Sequence, residues 1–112
     1  MKTENQLYDD LIYKFGRRAQ LEKAVEELDE LKAELQKVLQ CEGHIDQRTV
    51  SDQLRRRVTE EAVDVDITLR QVIRMLCAGG EYDRCRALKL KELRNWVDSL
   101  PPNHKMNEGG ER

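Results

Sequence analysis

Glu27 and Glu30 in one segment, and Glu61 and Asp64 in another, stand where a carboxylate is costly to place. Glu27 follows Ala24 by three residues and precedes Leu31 by four, so it shares the edge of an apolar helical stripe. Glu61 stands three residues after Val58 and four before Val65, among residues expected to face a core. An uncompensated buried charge costs several kcal/mol or more, so these positions demand partners. Most other acids, such as Glu4, Glu34 and Asp98, read as solvated helix surface. Glu30 and Asp64 each follow three residues later, giving each segment a pair on one face. If the two segments form an antiparallel helical hairpin turning near residues 45–46, Glu27 lies level with Asp64 and Glu30 with Glu61. Four converging carboxylates repel one another unless cations bind. Oxygen-only ligands select a hard cation, magnesium or else manganese, over zinc, and magnesium with open positions suits a phosphate-bearing substrate.

The elements that must position these residues are helices. Thr3 and Gln6 have the form of a capping box opening a segment over 4–15, with Leu7, Leu11, Ile12 and Phe15 at helical spacing before Gly16. A long helix is expected from about Arg17 to Glu42, stopping at Gly43, with Leu21, Ala24, Leu28, Leu31, Leu35, Val38 and Leu39 in a 3–4 pattern. A third starts near Ser51 and carries Leu54, Val58, Ala62, Val65, Leu69, Val72, Ile73 and Leu76 as far as Gly79 and Gly80. A fourth covers 81–100 before Pro101 and Pro102. The expectation is an all-α fold, an antiparallel helical bundle of about four helices over residues 1–100, with 101–112 a disordered C-terminal tail.

At 112 residues the chain can bury only a modest core, so an oligomer, a homodimer or tetramer, is expected. Twenty basic residues against 22 acidic ones leave no positive field for a nucleic-acid backbone, so no nucleic acid is expected as a partner. No apolar run suits a membrane and MKTENQLYDD lacks the apolar stretch of a signal peptide, so a soluble, cytoplasmic protein is expected. Cys41, Cys77 and Cys85 read as reduced thiols. Cys41 and His44 belong to the connector end, while Cys77 lies roughly 40 Å away at the far end of the third helix, too far to share one zinc.

The segment Phe15-Gly16-x-x-x-Gln20-Leu21-x-x-x-x-Glu26-Glu27-x-x-Glu30-Leu31, followed by Glu60-Glu61-x-x-Asp64-Val65, resembles the signature of MazG-like pyrophosphohydrolases. The resemblance runs over about residues 8–78. It implies an all-α fold whose carboxylates hold magnesium, and cleavage of a nucleoside triphosphate to monophosphate and pyrophosphate. It puts Glu27, Glu30, Glu61 and Asp64 on the metal ligands and Gln20 near the substrate. Phe15 stands where the family commonly has tryptophan, and the stretch 87–95 matches the family's phosphate-binding end loosely. There Lys89, Lys91 and Asn95 are either phosphate ligands or solvated helix residues. Lys14, Arg17 and Arg18, just before the acidic helix, either steer phosphates inward or serve solubility. With no Ser-His-Asp or Cys-His constellation, water is the expected nucleophile and Glu27 or Glu30 the expected general base. The rival is a non-catalytic helical interaction module, which predicts sustained heptads with acids confined to the flanks.

Overall fold

Local bonds and backbone turns set several helix ends in the computed structural model, which describes residues 1–104. Helix α1 spans Glu4–Phe15. The Gln6 amide donates to Thr3 Oγ1 at 3.2 Å and the Thr3 amide to Gln6 Oε1 at 2.8 Å, completing the expected capping box. Gly16 then breaks the chain at φ +88°, a backbone conformation that side chains resist, and a single residue separates α1 from α2, Arg17–Leu39. Helix α2 ends before the expected Gly43. Its last amides, Gln40 and Cys41, bond to carbonyls three residues back, so the final turn tightens and stops.

The connector folds around Asp46, whose Oδ1 accepts from the amides of Arg48 and Thr49 at 2.7 and 3.0 Å. Ser51 caps α3, Asp52–Leu76, by accepting from the Leu54 amide. Helix α3 ends at Cys77, in extended backbone, ahead of the glycines. Helix α4 covers Glu81–Ser99 and stops before Pro101, which disfavours helical backbone at Leu100. All four expected helices form, with no strand among the described residues. The expected tail lies outside the described residues from 105 onward.

Helices α2 and α3 pack along their length, and α1 folds back on α2. Arg74 on α3 fixes α1 through a two-pronged bond to Asp9 at 2.7 and 2.8 Å, while Tyr8 is buried with its hydroxyl donating to Glu4. The inward faces differ from the expected stripes. Leu69 and Leu76 are exposed, whereas Thr68 and Gln71 turn inward between Val65 and Val72. Helix α3 carries two apolar faces, and α2 covers the one that the polar residues interrupt.

Among the described residues the buried apolar side chains are Tyr8, Ala24 and Val50. No α4 residue is buried, and Leu88, Leu93, Trp96 and Val97 are 54–62% exposed. The radius of gyration, 18.2 Å, compares with about 13 Å for a compact domain of this length. No helix is long and apolar enough to cross a membrane among the described residues.

Candidate metal centre and adjoining cleft

The acidic site lies midway along the paired helices α2 and α3, one turn after the buried Ala24 and flanked by the half-buried Leu31 and Val65. One carboxylate oxygen from each of Glu27, Glu61 and Asp64 lies within 4.8 Å of the other two. Glu30 stands against both Glu61 and Glu27, and Asp64 against Glu27. The four expected ligands therefore come together, paired as an antiparallel register requires.

Their environments differ. Glu27 is 4% exposed and Glu61 half-buried, while Glu30 and Asp64 open to solvent. Lys23, one turn earlier, places Nζ 2.8 Å from Glu27 Oε1. That bond holds the Glu27 carboxyl below its usual range, against the opposing effect of burial. Lys23 is held above its own ordinary value, by the hydrogen bond to Glu27 first and the charge of Glu26 next. Glu30 goes the other way, up to about 7, because it shares a hydrogen bond with Glu61, loses hydration and faces the charge on Glu27. The Lys23 ammonium thus offsets part of the cluster's charge, and the Glu30 carboxyl holds a proton more readily than an ordinary one. Glu27 Oε2 and Glu61 Oε2 are still buried with no hydrogen-bond partner among the described residues. Two orphaned acceptors amid oxygen-only donors suit a hard cation, so the residues present fit magnesium or manganese.

Towards α1 the groove widens into a cleft of about 450 Å³ that reaches Glu27, Asp64 and Lys23. Leu11, Phe15, Ala19 and Ile67 form its apolar walls, and Gln20, Thr68 and Gln71 supply polar groups. Gln20, expected near the substrate, is buried here. Arg17 lines a separate concavity with Asp9 and Arg74, and Arg18 one on the other side of α2 with Glu22 and Glu26. Lys14 is exposed near the end of α1. Lys89, Lys91 and Asn95 are exposed on α4 and do not line the cleft. The second concavity, about 670 Å³, is larger than the cleft but holds none of the four carboxylates.

Sequence reasoning missed four residues. Glu34, read as solvated, has a side chain only 14% exposed, with one oxygen bonded to Lys37 at 3.1 Å and Oε2 buried without a donor. Lys23, Thr68 and Gln71 were also not singled out. The signal existed: the register that levels Glu27 with Asp64 also levels Lys23 with Thr68 and Gln20 with Gln71, and Glu34 continues the Glu27–Glu30 face.

Cys41 and Cys85 are exposed, Cys77 is half-buried, and none joins the candidate cation-binding group found among the described residues. Comparisons of the chain with family models, curated proteins and solved structures found no match.

Proposed function

We propose that the protein hydrolyses nucleoside or deoxynucleoside triphosphates between the α and β phosphates, releasing monophosphate and pyrophosphate, with magnesium as cofactor and manganese as its substitute. The observation that carries this reading is the level set of Glu27, Glu30, Glu61 and Asp64 with two buried oxygens lacking a donor among the described residues. A scaffold gains no stability from such a cluster, because like charges brought together oppose folding. The MazG-like motif carried by the same residues supports the same reading.

Magnesium bound by these four residues would neutralise the triphosphate and make pyrophosphate a better leaving group. Of the two general-base candidates, Glu30 is exposed at the mouth of the groove, whereas Glu27 is buried and already takes the Lys23 ammonium. Glu30 therefore accepts the proton from the attacking water at its carboxylate oxygen. Lys23 keeps Glu27 ionised and aligned.

The same reading includes a homodimer or tetramer. Its support is the uncovered apolar surface on α4 and the outer faces of α2 and α3, more than an isolated 112-residue chain leaves bare. Housecleaning of a nucleotide pool would put the protein in the cytoplasm. The deciding experiment incubates the purified chain with NTPs and dNTPs plus magnesium and separates the products. Monophosphate and pyrophosphate are expected in equal amounts, abolished by EDTA. Orthophosphate as the sole phosphate product, or turnover unchanged in excess EDTA, overturns the proposal.

A further inference from the structure

Helix α4 stands apart from the packed helices: none of its residues is buried, and the packing joins α2 to α3 and α1 to α2. A helix of this length gains little stability in water from its own hydrogen bonds and normally draws it from a packed apolar face. Tyr82, Arg86, Lys89, Leu93 and Trp96 supply a candidate face, at the alternating spacings of four and three that mark a helix-pairing seam. Leu93 and Trp96 are more than half exposed, and the two charges on the seam are both basic. The same rhythm recurs on α2 in Leu21, Val25, Leu28, Lys32 and Leu35, about 100° round the helix from the buried Ala24 and Glu27. Val25 and Leu28 are more than half exposed. Leu21 and Val25 line the concavity of about 670 Å³ on this side, together with three acids, Glu22, Glu26 and Asp29, and one base, Arg18. Glu26 lies 3.9 Å from Lys23, whereas Glu22 and Asp29 have no ion pair among the described residues. The two surfaces match in spacing, in apolar character and in opposite charge.

We propose that two copies of this chain pair reciprocally, the α4 helix of each lying antiparallel across the outer concavity of the other's α2, with Arg86 and Lys89 against Glu22, Glu26 and Asp29. Pairing of this kind deepens the homo-oligomer part of the reading above and rests on it, not on the hydrolytic activity. Set antiparallel with Leu93 level with the partner's Leu21, Lys89 falls level with the partner's Val25, amid the three acids, and Arg86 falls beside the partner's Asp29. Trp96 then comes level with the partner's Arg18, in reach of a cation–π contact. Set parallel on the same leucine pair, Lys89 would instead meet Arg17. Within one chain α4 starts beside Tyr8 and Ile73, at the end of the hairpin where α2 begins, so laid along its own α2 it would run parallel. The favourable antiparallel register therefore calls for a second copy, and a two-fold pair forms it twice.

The test reverses charge on each surface in turn. Glu22→Lys with Asp29→Lys changes the concavity, Arg86→Glu with Lys89→Glu changes α4, and sedimentation reads the mass of each protein. The wild type should run at no less than twice the chain mass of 13.2 kDa. Each double variant should raise the Kd of pairing by about a hundredfold or more, because like charges then face each other in both interfaces of the pair. An equimolar mixture of the two variants should recover the wild-type mass, since each interface of the mixed pair joins opposite charges again. A concavity variant that keeps the wild-type mass overturns the pairing while leaving a homo-oligomer through another face, such as α4 on α4. A mixture that stays at the mass of its components overturns it as well. A monomeric wild type removes the pairing and the homo-oligomer reading together, whatever the protein hydrolyses. A variant that loses its helical circular dichroism alone is judged in the mixture, where recovery of helix and mass supports the pairing and no recovery overturns it.

Discussion

Along α2 and α3 the side chains turned fully inward are mostly polar, Gln20, Glu27, Thr68 and Gln71, whereas along α4 apolar side chains face outward with nothing over them. The two regions break the ordinary inside-outside pattern in opposite directions, and for different reasons. In the hairpin, burying polar groups costs stability that a chemical role can justify, since buried oxygens on Glu27, Glu61 and Gln71 have no hydrogen-bond partner among the described residues. In α4 the exposed Leu88, Leu93, Trp96 and Val97 have the character of half an interface. The hairpin is thus a candidate site with its own scaffold, and α4 is an element whose packing partner is expected in a second copy.

The largest effect that could break this contrast belongs to the hairpin. Asp64→Asn keeps size and helix propensity but removes one ligand charge, and should lower pyrophosphate release by about a hundredfold or more. Steady-state assays across magnesium concentrations check it. Activity within severalfold of wild type would place the chemistry elsewhere.

Next in size is the test of α4. Light scattering should find a mass at least twice that of the chain. Trp96→Glu should shift the protein to monomer and cost about 2–4 kcal/mol at fixed concentration, through loss of a buried aromatic anchor. In a monomer with Trp96 open to water, the same change should stay within about 0.5 kcal/mol. Monomeric wild type at micromolar concentration would remove the partner from this account.

How far the sequence led depends on the kind of signal. Helix starts were legible because Thr3, Gln6 and Ser51 satisfy backbone amides locally. The end of α2 was not, because a tightened last turn stops it before Gly43 and no residue type marks that event. The four carboxylates were legible through hairpin register, which depends on number alone. Their unequal burial, and the inward turn of Thr68 and Gln71 in place of Leu69, depend on which of two apolar faces α2 covers. Hydrophobic pattern assigns both faces of α3 equally, so only packing separates them.

A smaller effect separates a cation site from a structural acid. Glu61→Gln removes a like charge from the metal-free cluster and a ligand from the loaded one. Without metal the fold should hold or gain up to about 1 kcal/mol, since Glu61 has no ion-pair partner among the described residues to lose. Magnesium at about 100 times its Kd should stabilise the wild type by about 2.7 kcal/mol and the variant by distinctly less. Thermal melts of both proteins, with EDTA and with magnesium, give the comparison. Equal destabilisation in both conditions would make Glu61 structural.

The smallest expected effect is on pH, and it tests whether Glu30 belongs to the cluster. Its folded pKa, about 7, lies above the ordinary value of 4.5, so between these limits the native state holds a proton that the unfolded chain has released. Stability of the metal-free protein should therefore rise as pH falls from about 7 towards 4.5. Glu27, shifted down by Lys23, acts in a different window: its contribution is present above 4.5 and is lost only as pH falls further, through its folded pKa. Protons and magnesium compete for Glu30, so the melting-temperature gain from magnesium should fade across the range in which the metal-free fold strengthens. Glu30→Gln carries no titrating group and should flatten both trends, leaving whatever the histidines and other acids contribute. The informative quantity is the difference between wild type and variant, measured by thermal melts from pH 7.5 to pH 5 with EDTA and with magnesium. Superimposable profiles would mean that Glu30 titrates as an ordinary surface acid, and the cluster would shrink to the three carboxylates Glu27, Glu61 and Asp64, whose oxygens already lie within 4.8 Å of one another.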